Sequence, residues 1–168
     1  CNHVSFVDAL VIMAACPRPI RFVMDKDIFR WPILNFAFRS SKAIPVASAR
    51  SDPALMEQAF AEVAKALDAG DLVGIFPEGK ITGDGNINPF RPGITRILER
   101  NPVPVVPMAL RGLWGSTFSR IEGAAMKHPF RRGFFTRIEL ISGNVIAASQ
   151  ASPERLQAEV SRLRGDWR

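Results

Sequence analysis

The sequence predicts an α/β fold: one layered domain over residues 1–168, with a central mixed β-sheet flanked by helices. Three observations predict it. Helical and strand-like segments alternate along the chain, with no internal repeat or low-complexity stretch. The strand-like segments are short apolar runs bounded by turn residues, the pattern of buried strands. The longer helix-like segments carry a single apolar face, which needs another layer to cover it.

Taken in order, residues 5–15 read as a first helix, stopped near Pro17 and Pro19. "IRFVM" is a short strand. "KDIFRWPILNFAF" reads as helical and interrupted at Pro32. "AIPVA" is the next strand. Residues 53–68 give the clearest helix, with Ser51 or Asp52 as cap and Pro53 in its first turn. Its residues Met56, Ala59, Phe60, Val63, Ala64 and Leu67 recur at helical spacing and mark one buried face. Gly70 ends it. "LVGIF" reads as a buried strand, and "VPVVPMAL" and "FTRIELIS" as two more. Ser152 and Pro153 begin a last amphipathic helix carrying Leu156, Val160 and Leu163. Between strand and strand lies a long turn-rich loop, "EGKITGDGNINPFRPG". It leaves the carboxyl end of a strand, where ligands gather in open α/β sheets.

Charge narrows the partners. The chain has 22 basic and 16 acidic residues, a formal net charge of +6, which favours phosphate esters or an anionic membrane surface. Nucleic acid is not expected, because no nucleic-acid motif is present and the chain has no tyrosine for base stacking. Cys1 and Cys16 show no CxxC spacing, so neither a disulfide framework nor a zinc site with His3 and His128 is expected. No apolar run reaches the roughly 18 residues that span a bilayer. The start at Cys1, directly on the most informative motif, predicts a piece of a longer protein.

Two stretches carry chemistry. In "CNHVSFVDAL", His3 and Asp8 lie five positions apart where an extended start becomes a helix. Inside one helix they would point roughly 140° apart. His3 must therefore precede the first turn, from where its ring can fold over the helix start to Asp8. A carboxylate on one ring nitrogen leaves the other as an acceptor, which makes a general base for an alcohol. A plainer reading competes: Ser5 and Asp8 also fit a capping box, in which Asp8 serves only the helix. In "GIFPEGKIT", Phe76 and Pro77 end a strand, and Gly79 permits a tight turn between Glu78 and Lys80. A lysine beside such a turn suits a phosphate; a solvated strand exit is the plain alternative.

Together the two stretches resemble the glycerolipid acyltransferase family, which includes the lysophosphatidic acid acyltransferases. Asn2, His3 and Asp8 match its N-H-x4-D motif. Phe76, Pro77, Glu78 and Gly79 match its F-P-E-G motif, and residues 103–107 its apolar run ending in proline. The resemblance covers nearly the whole chain and implies a glycerol-3-phosphate acyltransferase-like fold. Many members continue F-P-E-G with Thr-Arg-Ser; here Lys80, Ile81 and Thr82 stand in those places. That form looks more like 2-acylglycerophosphoethanolamine acyltransferase domains fused to or paired with lysophospholipid transporters. Arg50, after "AIPVASA", falls about two positions later than the family's phosphate-binding arginine.

The resemblance implies a reaction. His3, oriented by Asp8, takes the proton of a free glycerol hydroxyl on a lysophospholipid. The oxygen attacks the thioester of acyl-CoA or acyl carrier protein, with no cofactor and no covalent enzyme intermediate. Glu78, Gly79, Lys80 and Arg50 hold the glycerol-phosphate part, with Asn2, Phe76 and Pro77 supporting the motifs. A catalytically silent domain that binds anionic lipid is the alternative. The expected location is the cytoplasmic face of a membrane, peripheral or tethered by sequence outside this chain. Residues 18–50 combine a net charge of +5 with Trp31 and Phe36, a mixture that suits a membrane-facing element.

Overall fold

The structure, a computed structural model, describes residues 1–30, 36, 38–48, 50–120 and 137–167. β1 (Ile20–Asp25), β2 (Ile44–Val46) and β3 (Leu72–Gly74) form a parallel sheet in the order β2-β1-β3. Val23 of β1 pairs with Ile44, and Ile20 with Leu72. The two-residue alternation of β1 separates two cores. Ile20, Phe22 and Met24 pack with Ala9 and Ile12 of α1 (Asp8–Ala15). Val23 packs on the opposite side with Ala59 and Val63 of α2 (Pro53–Asp68). A helix thus covers each face of the parallel sheet.

β4 (Met108–Arg111) and β5 (Glu139–Ser142) form an antiparallel pair, with Ala109 opposite Ile141. Ala109 joins a third core with Ile94 and Leu98 of α3 (Gly93–Arg100) and Leu156, Val160 and Leu163 of α4 (Pro153–Arg164). Residues 1–5 tie the two sheets together. The Cys1 nitrogen donates to the Ile75 carbonyl just past β3, at 3.4 Å. On the other side, the Asn2 amide takes both backbone groups of Leu110: Nδ2 donates to the carbonyl at 3.0 Å and Oδ1 accepts from the N–H at 2.8 Å. A side chain here occupies the place of a strand partner. Ser5 then bridges Ser119 in antiparallel fashion.

The elements agree with the sequence in their type and differ at their ends. The first helix starts at Asp8, three residues later than expected. The N–H groups of Val4 and Ser5 are bonded to the Asp8 side chain, and that of Phe6 to the Phe118 carbonyl, so the chain turns before it coils. The strand expected over 103–110 begins at Met108. Pro104 and Pro107 lack the N–H that a ladder needs, and only Val105 pairs, with Ile146. α2 has its expected bounds, with Asp52 as cap accepting the Leu55 N–H at 3.0 Å. α4 begins under Ser152 as expected. α3 was not expected, because "RPGITRILER" reads as the end of the long loop. Ile94 and Leu98, four apart and both buried, were its only signal. "KDIFR" forms a short 3₁₀ helix, Lys26–Arg30, and residues 38–40 are helical. The interruption expected at Pro32, Trp31 and the basic residues around His128 lie outside the described residues.

Gly74 is the tightest point of the parallel sheet. A methyl group there would sit 2.5 Å from the Phe22 ring, which is itself buried and stacked on Phe76 at 5.5 Å. Gly74→Ala is expected to overpack this stack by about 1–3 kcal/mol, a drop of several degrees in melting temperature. An unchanged thermal midpoint would show that Phe22 has room to move.

Candidate active site

His3 is held on every side but one. Its peptide N–H donates to Glu78 Oε1 at 2.7 Å, and its carbonyl accepts the Thr82 N–H at 2.9 Å. Its ring lies on the Phe76 ring, with centroids 4.2 Å apart and planes inclined by 11°. Nδ1 stands 2.8 Å from Asp8 Oδ2. No described residue bonds Nε2, and the side chain remains 17% accessible. The ring is oriented by three contacts and offers one nitrogen outward.

Asp8 explains why a helix begins where it does. It is fully buried, and its Oδ2 accepts three bonds: from His3 Nδ1, from the Val4 N–H at 2.7 Å and from the Ser5 N–H at 3.0 Å. The Ser5 bond is the returning half of a capping box. The two readings of Asp8 are therefore both true, because one oxygen caps the turn and holds the imidazole. Its Oδ1 has no hydrogen-bond partner among the described residues. With only acceptor capacity on Oδ2, the Asp8 bond requires the proton on Nδ1, and Nε2 of a neutral ring becomes an acceptor.

Glu78 performs a different task from the one expected of it. It is only 1% exposed. Oε1 takes the His3 N–H, and Oε2 takes the Asn88 N–H at 2.7 Å and the Asn88 side-chain amide at 2.8 Å. Every bond it makes points into the protein. Burial pushes its pKa above the usual carboxylate range, and the Asn88 and His3 N–H groups pull back against that shift. Glu78 thus fastens the "FPEG" turn to the "NH" segment and to the far end of the long loop. Asn2, also fully buried, is spent on Leu110. Asn88 was not singled out from the sequence, and nothing local marks it: its partner stands ten residues away.

Gly79 and Lys80 lie on the exposed side of the same turn, Gly79 at φ +66° where a side chain would be strained. Ile81 and Thr82 point inward and are buried. Thr82 orders the start of the long loop: its hydroxyl accepts the Gly85 N–H at 3.1 Å and donates to Asp84 at 2.9 Å. Two bonds from Asn86, with that of Thr82, lower the Asp84 pKa to about 2. Arg50 stands apart. It is exposed beyond β2, and the order β2-β1-β3 leaves a whole strand between it and the "FPEG" turn. At about 4.8 Å per strand that separation is roughly 10 Å. Both sit at the carboxyl end of the parallel sheet, but the structure brings only Glu78, Gly79 and Lys80 to His3 and Asp8.

Known proteins share this pattern. The acyltransferase family model matches residues 1–111. A 1-acyl-sn-glycerol-3-phosphate acyltransferase of Cocos nucifera is 32% identical over 130 residues, 74% of this chain and 41% of that protein. One of the same name from Bacillus subtilis is 26% identical over 168 residues, 97% of this chain and 75% of that protein. The chain spans about two fifths of the length of the plant relatives from Limnanthes alba and Cocos nucifera. The crystal structure of the 1-acyl-sn-glycerophosphate acyltransferase PlsC from Thermotoga maritima superposes with a TM-score of 0.68 over 96% of this chain and 61% of that one. At 19% identity it establishes the shared fold.

The role of Glu78 is open to a direct test. Gln offers one acceptor oxygen where the carboxylate offers two, so its amide must face an N–H of either His3 or Asn88. Glu78→Gln is expected to cost about 1–3 kcal/mol, read as a lower melting temperature. A variant as stable as the parent would show that the three bonds to Glu78 contribute nothing net.

Proposed function

This chain belongs to the acyltransferase family, and on that premise we propose that it moves a fatty acyl group from a thioester, acyl-CoA or acyl carrier protein, to the free glycerol hydroxyl of a lysophospholipid. The observation that carries the reading is the 2.8 Å bond between His3 Nδ1 and the buried Asp8, with Nε2 left unbonded and accessible. Nε2 takes the hydroxyl proton as the oxygen attacks the thioester carbonyl. A carbon–oxygen bond forms, the carbon–sulfur bond breaks, and the imidazolium returns its proton to the departing thiolate. Asp8 steadies the imidazolium while it is charged. His3 has no serine or cysteine bonded to Nε2 among the described residues, which favours direct transfer.

The phosphate end of the acceptor is assigned to the exposed side of the "FPEG" turn, at Gly79 and Lys80, with Glu78 as the residue that holds this turn against His3. Arg50 contributes, on this reading, only to the positive rim of the sheet. The printed names of the plant and bacterial relatives favour a 1-acylglycerol 3-phosphate as acceptor. They weigh against the ethanolamine head group that Lys80, Ile81 and Thr82 suggested in sequence. No helix among the described residues is long and apolar enough to cross a membrane. Work at the surface of an anionic bilayer suits both the lipid acceptor and the net charge of +6.

His3→Ala is expected to lower turnover by about 10²–10⁴ while binding of the lysophospholipid persists. Asp8→Asn is the sharper variant. Its carbonyl oxygen can take the place of Oδ2 and keep all three donors, and its amide nitrogen can take the place of Oδ1, which has no donor to clash with. The fold and the tautomer then survive and only the charge is lost. Turnover should fall by about 10- to 100-fold, the worth of a charge-assisted bond to the imidazolium. Full turnover in either variant contradicts the assignment. No turnover in the parent protein, with vesicle binding intact, points to a silent lipid-binding domain instead.

A further inference from the structure

The turn at Gly79 carries a cation that neither motif contains. Arg91 lies eleven residues beyond Lys80, at the far end of the long loop. Its peptide N–H donates to the Pro77 carbonyl at 2.8 Å, which fixes its backbone beside the "FPEG" turn. Its side chain then folds across Gly79. A methyl group on Gly79 would stand 3.0 Å from both Cζ and Nε of Arg91, and 3.1 Å from Cδ. The guanidinium therefore lies directly on the glycine, and only a residue without a side chain lets it do so.

Nothing among the described residues takes its charge. No hydrogen bond or ion pair engages the Arg91 guanidinium, whereas Arg21, Arg96, Arg111 and Arg162 all hold carboxylates. The nearest carboxylate in sequence to the contact, Glu78, has given both oxygens to His3 and Asn88. Lys80, on the other side of Gly79, is exposed and equally unpaired among the described residues. Two cations without counter-charge thus flank a turn that is bonded, through Glu78, to the backbone of His3. The family's Thr-Arg-Ser continuation places a guanidinium two residues beyond the glycine. Here that position is the buried Ile81.

We propose that Arg91 is the guanidinium that grips the phosphate of the acceptor, that it acts with Lys80 across Gly79, and that the acceptor it selects is a phosphate monoester. The proposal rests on the acyl-transfer reading above and adds a residue and a substrate class to it. The planar fork of an arginine binds two oxygens of one phosphate, while Lys80 adds a point charge. A monoester carries nearly two negative charges and three terminal oxygens, which matches two cations. A zwitterionic phosphodiester offers two terminal oxygens and one negative charge, and uses half of that provision.

The test compares two acceptors in the full-length protein: a short-chain 1-acylglycerol 3-phosphate and the corresponding monoacylglycerol, which lacks phosphate. Arg91→Ala is expected to raise the KM for the phosphate acceptor by about 10- to 100-fold, leaving the donor KM, the melting temperature and the reaction of the monoacylglycerol unchanged. Arg91→Lys, which keeps the charge without the fork, should fall between. A second arm needs no catalysis. Calorimetric affinity for the same phosphate acceptor is compared between His3→Ala and the double variant His3→Ala/Arg91→Ala, and the double variant should bind at least about tenfold more weakly. Equal affinity in that arm overturns the proposal, and so does an unchanged acceptor KM or a rise in the donor KM instead. If the parent protein transfers no acyl group, the acyl-transfer reading fails, and the binding arm still decides whether Arg91 holds a phosphate monoester.

Discussion

One buried oxygen, Asp8 Oδ2, organises the start of the chain. It accepts the N–H groups of Val4 and Ser5 and the Nδ1 proton of His3, so the backbone turn and the orientation of the imidazole are set by the same atom. A fully buried carboxylate costs several kcal/mol to desolvate unless N–H donors surround it. The donors here are supplied by the segment that the carboxylate itself shapes. The geometry of the histidine is thus tied to the folding of the first helix. A substitution that frees the ring also leaves backbone N–H groups unbonded.

A second carboxylate extends this order across the sheet. Glu78 reaches from the exit of β3 to the backbone of His3 and to Asn88, while Asn2 reaches the other way to β4. The histidine segment is a seam between a parallel and an antiparallel sheet. It is held by side chains where a strand would use its backbone, which leaves the His3 side chain turned toward the rim and not into a ladder. The polar residues of the two motifs thus divide into inward holders, Asn2, Asp8 and Glu78, and outward groups, His3 and Lys80. Arg91 joins the second set from outside both motifs.

The sequence disclosed those parts whose causes are local. His3 and Asp8 are close enough in sequence for their contact to be argued from helix geometry alone. α2 and α4 announced themselves by Asp52-Pro53 and Ser152-Pro153. The alternation of β1 was legible because both its faces are covered. The hidden parts depend on partners far along the chain. Asn2 meets Leu110 at a separation of 108 residues and Glu78 meets His3 at 75, and no spacing rule predicts either. Glu78 looked like a ligand contact because a charged residue beside a glycine normally faces water. Arg50 looked close to the site because sequence does not reveal that β1 inserts between β2 and β3. Arg91 looked like a solvated loop residue, because its return over Gly79 is set by the Pro77 carbonyl far behind it in the chain.

The central claim is that Asp8 fixes His3 with its proton on Nδ1 and leaves Nε2 as the acceptor. Nitrogen-15 NMR of histidine-labelled protein reads this directly, with His128→Gln to assign the one other histidine. At a pH where the ring is neutral, the account predicts a protonated, pyrrole-type Nδ1 and an unprotonated, pyridine-type Nε2 for His3. The reverse tautomer, with the proton on Nε2, would contradict it.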